Sequence, residues 1–178
     1  MIFTETDLKD VLIIEPEKLE DDRGFFSRVW DKKIFEQKDL ETNWIQSSIS
    51  FNKIKGTLRG MHFQKKPHEE IKMIRCTKGK IYDVIVDLRT TSQTFKKWIS
   101  VELNDQNHKI LYIPKGFAHG FQTLEDDTEI FYQISEYYHK DFASGIKWDE
   151  PHLSIKWPLR ISTISERDKN LPYLRSLI

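Results

Sequence analysis

Two short segments carry the residue types that proton chemistry needs. Residues 56–64 read GTLRGMHFQ and residues 114–120 read PKGFAHG. Each holds one histidine, His62 or His119, among glycines, small residues and apolar residues in a β-like pattern. An imidazole in an apolar β pocket, with arginine and lysine nearby, can serve as a general base beside an anionic substrate. Arg59 is the nearest cation in the first segment. On strict alternation Leu58, Gly60 and His62 share one strand face, and Arg59 and Met61 share the other. A bulge or twist near Gly60 would turn Arg59 back towards the same pocket.

Further residues suit the same chemistry. Lys72, in EEIKMIRC, shares a strand face with Ile74 and Cys76, where an ammonium must be partnered or solvated. Such a lysine can stabilise an oxyanion or enolate. Asp83 and Asp87 interrupt the apolar run IYDVIVDLR on one face, and either can orient a histidine. Tyr132 and Tyr138, in EIFYQISEYYH, offer phenols that deliver a proton opposite a histidine base. They are six residues apart, a spacing that one strand face accommodates. Asp168, in SERDK, can hold an imidazole tautomer and stabilise the protonated ring. Arg23 precedes Gly24, Phe25 and Phe26. A guanidinium beside aromatic rings suits a nucleoside diphosphate, with phosphate on the cation and base or sugar on a ring. Each residue taken alone also has an ordinary structural use in packing, capping or solubility.

The elements that must position these groups are mainly strands. Period-two apolar runs rich in Ile, Val, Phe, Tyr and Trp predict strands over 11–14, 24–30, 45–51, 72–77, 80–88, 98–103, 109–113 and 129–136. Turns are expected at Lys78-Gly79 and Asn104-Asp105. Helical signal is confined to 32–38, with Asp31 as cap, and to a turn of helix after Ser165. Many short strands with few helices argue for a sandwich or barrel, and a jelly roll would place the histidines inside its open end.

Bulk properties narrow the class. The 178 residues suit one domain with a sizeable core, and 38% hydrophobic with 31% charged residues is an ordinary globular mix. A formal net charge of zero argues against nucleic-acid binding. The lone Cys76 cannot form a disulfide within the chain and reads as a buried strand residue, which fits a reducing cytoplasm. MIFTETDLKD lacks a basic flank followed by an apolar run, and no apolar stretch reaches 18 residues. Neither a signal peptide nor a membrane partner is expected.

DDRGFF, GTLRGMHFQ, KGKIYDVIVDLRTTSQTF, YIPKGFAHGF, FYQISEYYH, IKWDEP, IKWP and ISERDKNLP occur in this order. Together they resemble the dTDP-4-dehydrorhamnose 3,5-epimerase family of deoxysugar biosynthesis over most of the chain. The resemblance implies an all-β, cupin-type jelly roll (a double-stranded β-helix) with a few short helices, acting without a cofactor. It implies that His62 is the proton-abstracting base, Asp168 its partner carboxylate, Tyr132 the general acid and Lys72 the enolate-stabilising cation. It implies that His119 and Tyr138 contact the substrate and that Arg23, Arg59 and Arg167 surround the nucleotide phosphates. It also implies a homodimer in which an N-terminal strand crosses to the partner. The substrate so implied is a nucleotide-linked 4-keto-6-deoxy-hexose, inverted at C3, C5 or both.

Three positions depart from the family pattern. Arg28 stands where a glutamate is usual, Ala143 where an acid is usual, and Gln46 with Ser48 replace a Gln-x-Asn element. All three bear on nucleotide or sugar recognition rather than on proton transfer. PKGFAHG also resembles half of a metal-binding cupin motif, but the other half reads His62-Phe63-Gln64 and lacks its second histidine. His68 is a loop-like and weak substitute, so no catalytic metal is expected. Three alternatives stay open: a single-centre epimerase or keto-sugar isomerase, a metal-dependent cupin oxygenase, and a catalytically silent sugar-nucleotide binding protein.

Overall fold

Alternation of apolar residues builds two β-sheets that close on a shared core. The computed structural model describes residues 1–176. Its strands are β1 (Ile2–Glu5), β2 (Leu12–Glu15), β3 (Lys18–Asp21), β4 (Gly24–Ser27), β5 (Gln46–Asn52), β6 (Thr57–Gln64) and β7 (Lys72–Lys78). They continue as β8 (Lys80–Asp87), β9 (Trp98–Asn104), β10 (Ile110–Ile113), β11 (Phe117–Thr123), β12 (Thr128–Ile134), β13 (Ala143–Gly145) and β14 (Thr163–Ile164). One sheet runs β1-β2-β10-β7-β12-β5, the other β13-β6-β11-β8-β9 with β14 added beside β6, and β3 and β4 form a separate hairpin. The helices are α1 (Lys32–Glu36), α2 (Glu166–Lys169) and a single 3-10 turn at Leu174–Ser176. The result is an all-β jelly roll.

Strand β10 shows how the sequence makes the layers. Leu111 and Ile113 point between the sheets, where they meet Ile74, Ile81, Ile85, Phe121 and Ile130. Ile110 and Tyr112 point outward and pack under Phe35, the buried residue of α1. The outer face of the second sheet is covered by Ile146, Leu153 and Leu174 against Met61, Val84 and Val86. By the same alternation Lys72, Asp83, His119 and Tyr132 take the inner face, in line with Ile74, Ile85, Phe121 and Ile130. Polar groups thus replace the apolar filling at one end of the space between the sheets.

Both predicted caps are present. Asp31 accepts from the Ile34 N–H at 3.2 Å to start α1, and Ser165 accepts from the Asp168 N–H at 3.0 Å to start α2. The strand expected over 24–30 stops at Ser27, because Val29 and Trp30 turn into the cluster around Phe35. Strand β3 has no apolar alternation to reveal it; all four of its residues are exposed. Cys76 is buried, and burial pushes its thiol up to about 12, which removes it as a nucleophile at neutral pH. Asp87 does not orient a histidine. It accepts hydrogen bonds from Arg89, Ser92 and Thr94 and holds together the turn after β8.

Arg59 and His62 reach one cavity because of a local irregularity. His119 pairs with His62 and Phe121 with Arg59, so two steps along β11 oppose three along β6. Gly60 occupies the extra position with φ +130°, and a Cβ there would lie 2.5 Å from the Gly120 Cα and 3.0 Å from the His119 carbonyl. Gly60→Ala is therefore expected to destabilise the protein by about 3 kcal/mol or more, through backbone strain and a backbone clash. Denaturant midpoints of the variant and the parent check this; equal midpoints would show that the strands separate without cost.

Candidate active site

A cavity of about 290 Å³ opens between the sheets at the polar end, lined by Arg59, His62, Lys72, His119 and Tyr132. Gln46, Ser48, Tyr138, Ala143 and Arg167 complete much of its rim. His62 projects from β6, and its Nε2 lies 2.7 Å from Asp168 Oδ1. Helix α2 delivers that carboxylate. Its second oxygen accepts from the Gly60 N–H at 3.1 Å, and the residue is almost fully buried. Burial opposes the Asp168 charge, but hydrogen bonds involving His62, Gly60 and Ser165 and the nearby imidazole outweigh it and hold the carboxyl below its ordinary value. An ionised carboxylate only accepts, so Nε2 carries the proton and Nδ1 keeps the lone pair of the neutral ring.

A second histidine–carboxylate pair lies deeper. His119 Nε2 is 2.9 Å from Asp83 Oδ2, and both side chains are buried. Burial pushes the Asp83 carboxyl up, against the pull of His119 and Lys72. Asp83 is thus the member of the Asp83/Asp87 pair that meets a histidine. Lys72 is buried as well and is partnered by Glu70, 2.8 Å from its Nζ. The ammonium stays inside the cavity instead of reaching out to solvent, because that carboxylate neutralises it there.

The Tyr132 ring packs edge-on against His119, with centroids 6.1 Å apart. Burial raises its phenol above the ordinary value, Asp83 adds to this, and Arg59 opposes it. The hydroxyl therefore keeps its proton at neutral pH. Arg59 donates from Nε to Asn52 Oδ1 at 2.7 Å, which aims its guanidinium along the cavity wall. Tyr138 does not share a strand face with Tyr132. Strand β12 ends at Ile134, and Tyr138 lies in the following loop, where its N–H donates to Gln46 Oε1 at 3.1 Å.

Arg23 and Phe26 lie outside this cavity within one chain. They sit on the β3–β4 hairpin, where Arg23 pairs with Asp21 at 2.6 Å and Phe26 is 64% exposed. Among the three departures, Ala143, Gln46 and Ser48 line the cavity, while Arg28 faces Asp31 at 3.6 Å away from it. Sequence reasoning missed Gln64 and Glu70, both cavity residues. The signal for Glu70 was its place two residues before a lysine that needed a buried partner.

The sequence profile of the dTDP-4-dehydrorhamnose 3,5-epimerase family matches residues 5–176. The enzyme of that name from Methanothermobacter thermautotrophicus is 42% identical over 176 residues, spanning 97% of this chain and 94% of its own. The crystal structure of the Bacillus anthracis dTDP-4-dehydrorhamnose 3,5-epimerase with TDP and pyrophosphate bound is similar with a TM-score of 0.94 at 43% identity, covering 97% of this chain and 99% of that one. The Legionella pneumophila dTDP-6-deoxy-D-glucose-3,5-epimerase, solved in complex with dTDP-4-keto-L-rhamnose, superposes with a TM-score of 0.92 at 34% identity over 98% and 93% of the two chains. Matches of this extent, in sequence and in fold, place the chain in the dTDP-4-dehydrorhamnose 3,5-epimerase family, a family of isomerases.

Proposed function

We propose that this protein inverts C3 and C5 of a dTDP-linked 4-keto-6-deoxy-hexose. The observation that carries the reading is the His62–Asp168 pair, which faces a cavity that also holds a buried lysine and a protonated tyrosine. His62 Nδ1 takes the hydrogen from the carbon next to the C4 ketone. The C–H electron pair moves into the ring bond, and the carbonyl electrons move onto oxygen to give an enolate. Lys72 and His119 stabilise that oxygen, and Asp168 stabilises the imidazolium. The enolate collapses, the carbon takes a proton from the Tyr132 hydroxyl on the opposite face, and the centre is inverted. Solvent returns a proton to the phenolate and accepts one from His62. The second α-carbon is inverted by a repeat of the same steps, and no redox cofactor enters.

The nucleotide diphosphate lies against Arg59 and Arg167 at the rim. Gln46, Ser48 and Tyr138 contact the nucleotide and sugar. The working form is a cytoplasmic homodimer. The β3–β4 hairpin exposes Leu19, Phe25 and Phe26, and the edge strand β5 exposes Ile49 and Phe51. Apolar groups on a hairpin and a sheet edge are covered by a second copy, which brings Arg23 and Phe26 to the partner's cavity. Among the described residues no helix is long and apolar enough to cross a membrane.

Arg23→Ala and Arg59→Ala are each expected to weaken dTDP binding by about 10–150-fold, because a charge-assisted hydrogen bond contributes roughly 1.5–3 kcal/mol. Thymidine, which lacks the phosphates, should lose far less. Calorimetry with both ligands decides, and unchanged dTDP affinity in both variants would move the phosphate site elsewhere.

A further inference from the structure

Two loops beside the cavity mouth bring together a second set of donor atoms. His68 lies between β6 and β7, and Glu136 and His139 lie after β12. Ligand atoms of all three fall within 4.8 Å of one another. Glu136 Oε2 is 3.9 Å from His68 Nδ1, and Glu136 Oε1 is 3.7 Å from His139 Nε2. Both gaps exceed a hydrogen bond, so the carboxylate stands between the imidazoles without bonding to either. The two rings are stacked, with centroids 3.5 Å apart and planes 24° apart, and the Phe142 ring packs on both.

The backbone beneath the cluster is fixed. Gln64 Nε2 donates to the His68 carbonyl at 3.1 Å and to the Tyr137 carbonyl at 3.0 Å, while its Oε1 accepts from the His139 N–H at 2.7 Å. One buried amide thus holds both loops in register. We propose that His68, Glu136 and His139 form a binding site for a divalent transition-metal cation of the zinc class, separate from the proton-transfer residues. Bonds of about 2.0–2.2 Å to a tetrahedral zinc put its ligand atoms about 3.4 Å apart. The gaps to the two different Glu136 oxygens exceed this by a few tenths of an ångström, and side-chain rotation has to bring donor atoms that lie within 4.8 Å of one another closer by up to about 1.4 Å. Two imidazole nitrogens and one carboxylate oxygen favour zinc, cobalt, nickel or copper over calcium or magnesium. Three protein ligands leave the remaining position to water. The bound ion ties together two rim loops, one carrying Glu70 and the other Tyr138; it takes no part in proton transfer.

The test is calorimetric titration of the chelator-treated full-length protein with zinc chloride, with calcium chloride as comparison. One zinc per chain should bind, and calcium should give no heat. His68→Ala with His139→Ala should lower zinc affinity at least tenfold, about the loss seen when even supporting residues of a metal site are removed. Glu136→Gln, which keeps side-chain size, should also weaken binding, and His108→Ala, at a distant histidine, should not. Zinc-soaked crystals should show an anomalous peak between the three side chains. Absence of binding at micromolar zinc, unchanged affinity in the folded double variant or in Glu136→Gln, or a peak elsewhere would each overturn the proposal.

Discussion

His62→Asn is expected to abolish incorporation of solvent deuterium at both C3 and C5 of the keto sugar, with a loss of about 10²–10⁴-fold or more. Asparagine is too short to reach Asp168 from the place of Nε2, but Asp168 keeps the hydrogen bond from the Gly60 N–H and its N–H still donates to Ser165, so the fold around α2 should persist. The change removes the lone pair that Nδ1 offers to the cavity. No neighbouring group replaces it readily. His119 packs against Tyr132, on the side from which the proton is delivered, and Lys72 is paired with Glu70. Both α-carbons should fail together, because one base serves both. NMR of the sugar in deuterium oxide, with circular dichroism to confirm folding, makes the check. Near-normal exchange by the folded variant would remove His62 from the base role.

Tyr132→Phe is expected to separate proton removal from proton delivery. The ring and its edge-on contact with His119 remain, and only the hydroxyl is lost. His62 still reaches the α-hydrogen, and an enolate still forms. Reprotonation then returns to the face from which the hydrogen left. The variant should exchange substrate hydrogen for deuterium yet form at most about one part in a hundred of the inverted product made by the parent, the scale of a lost general acid. Tyr138 is the rival. It is also on the cavity rim but is exposed and lies on a loop rather than on β12. Full inversion by Tyr132→Phe together with lost inversion in Tyr138→Phe would transfer the acid role.

Much of the site was legible because strand alternation projects directly into three dimensions. The pattern of EEIKMIRC put Lys72 beside Ile74 and Cys76, and the structure has all three on the inner face. The Asp31 and Ser165 caps were legible because a hydroxyl or carboxylate before a short helix has a specific backbone partner. Alternation failed at Gly60, where one extra residue joins Arg59 and His62 in a single cavity. Only the glycine gave notice of that. The six-residue spacing misled for Tyr138, because the strand ends before it. Pairings between distant segments, such as His119 with Asp83, followed from cross-strand register, which residue types alone leave open. The His68–Glu136–His139 cluster was hidden for the same reason: its members lie on two loops far apart in sequence, which Gln64 helps to hold together.

The most direct test of the account is proton NMR of the unmodified protein acting on dTDP-4-keto-6-deoxyglucose in deuterium oxide. One base and one acid on opposite faces of the sugar predict deuterium at both C3 and C5 and a product inverted at both carbons. Deuterium at neither carbon, with the nucleotide sugar bound and unchanged, would contradict the proposed chemistry. Deuterium and inversion at one carbon alone would contradict the proposal that His62 and Tyr132 serve both centres.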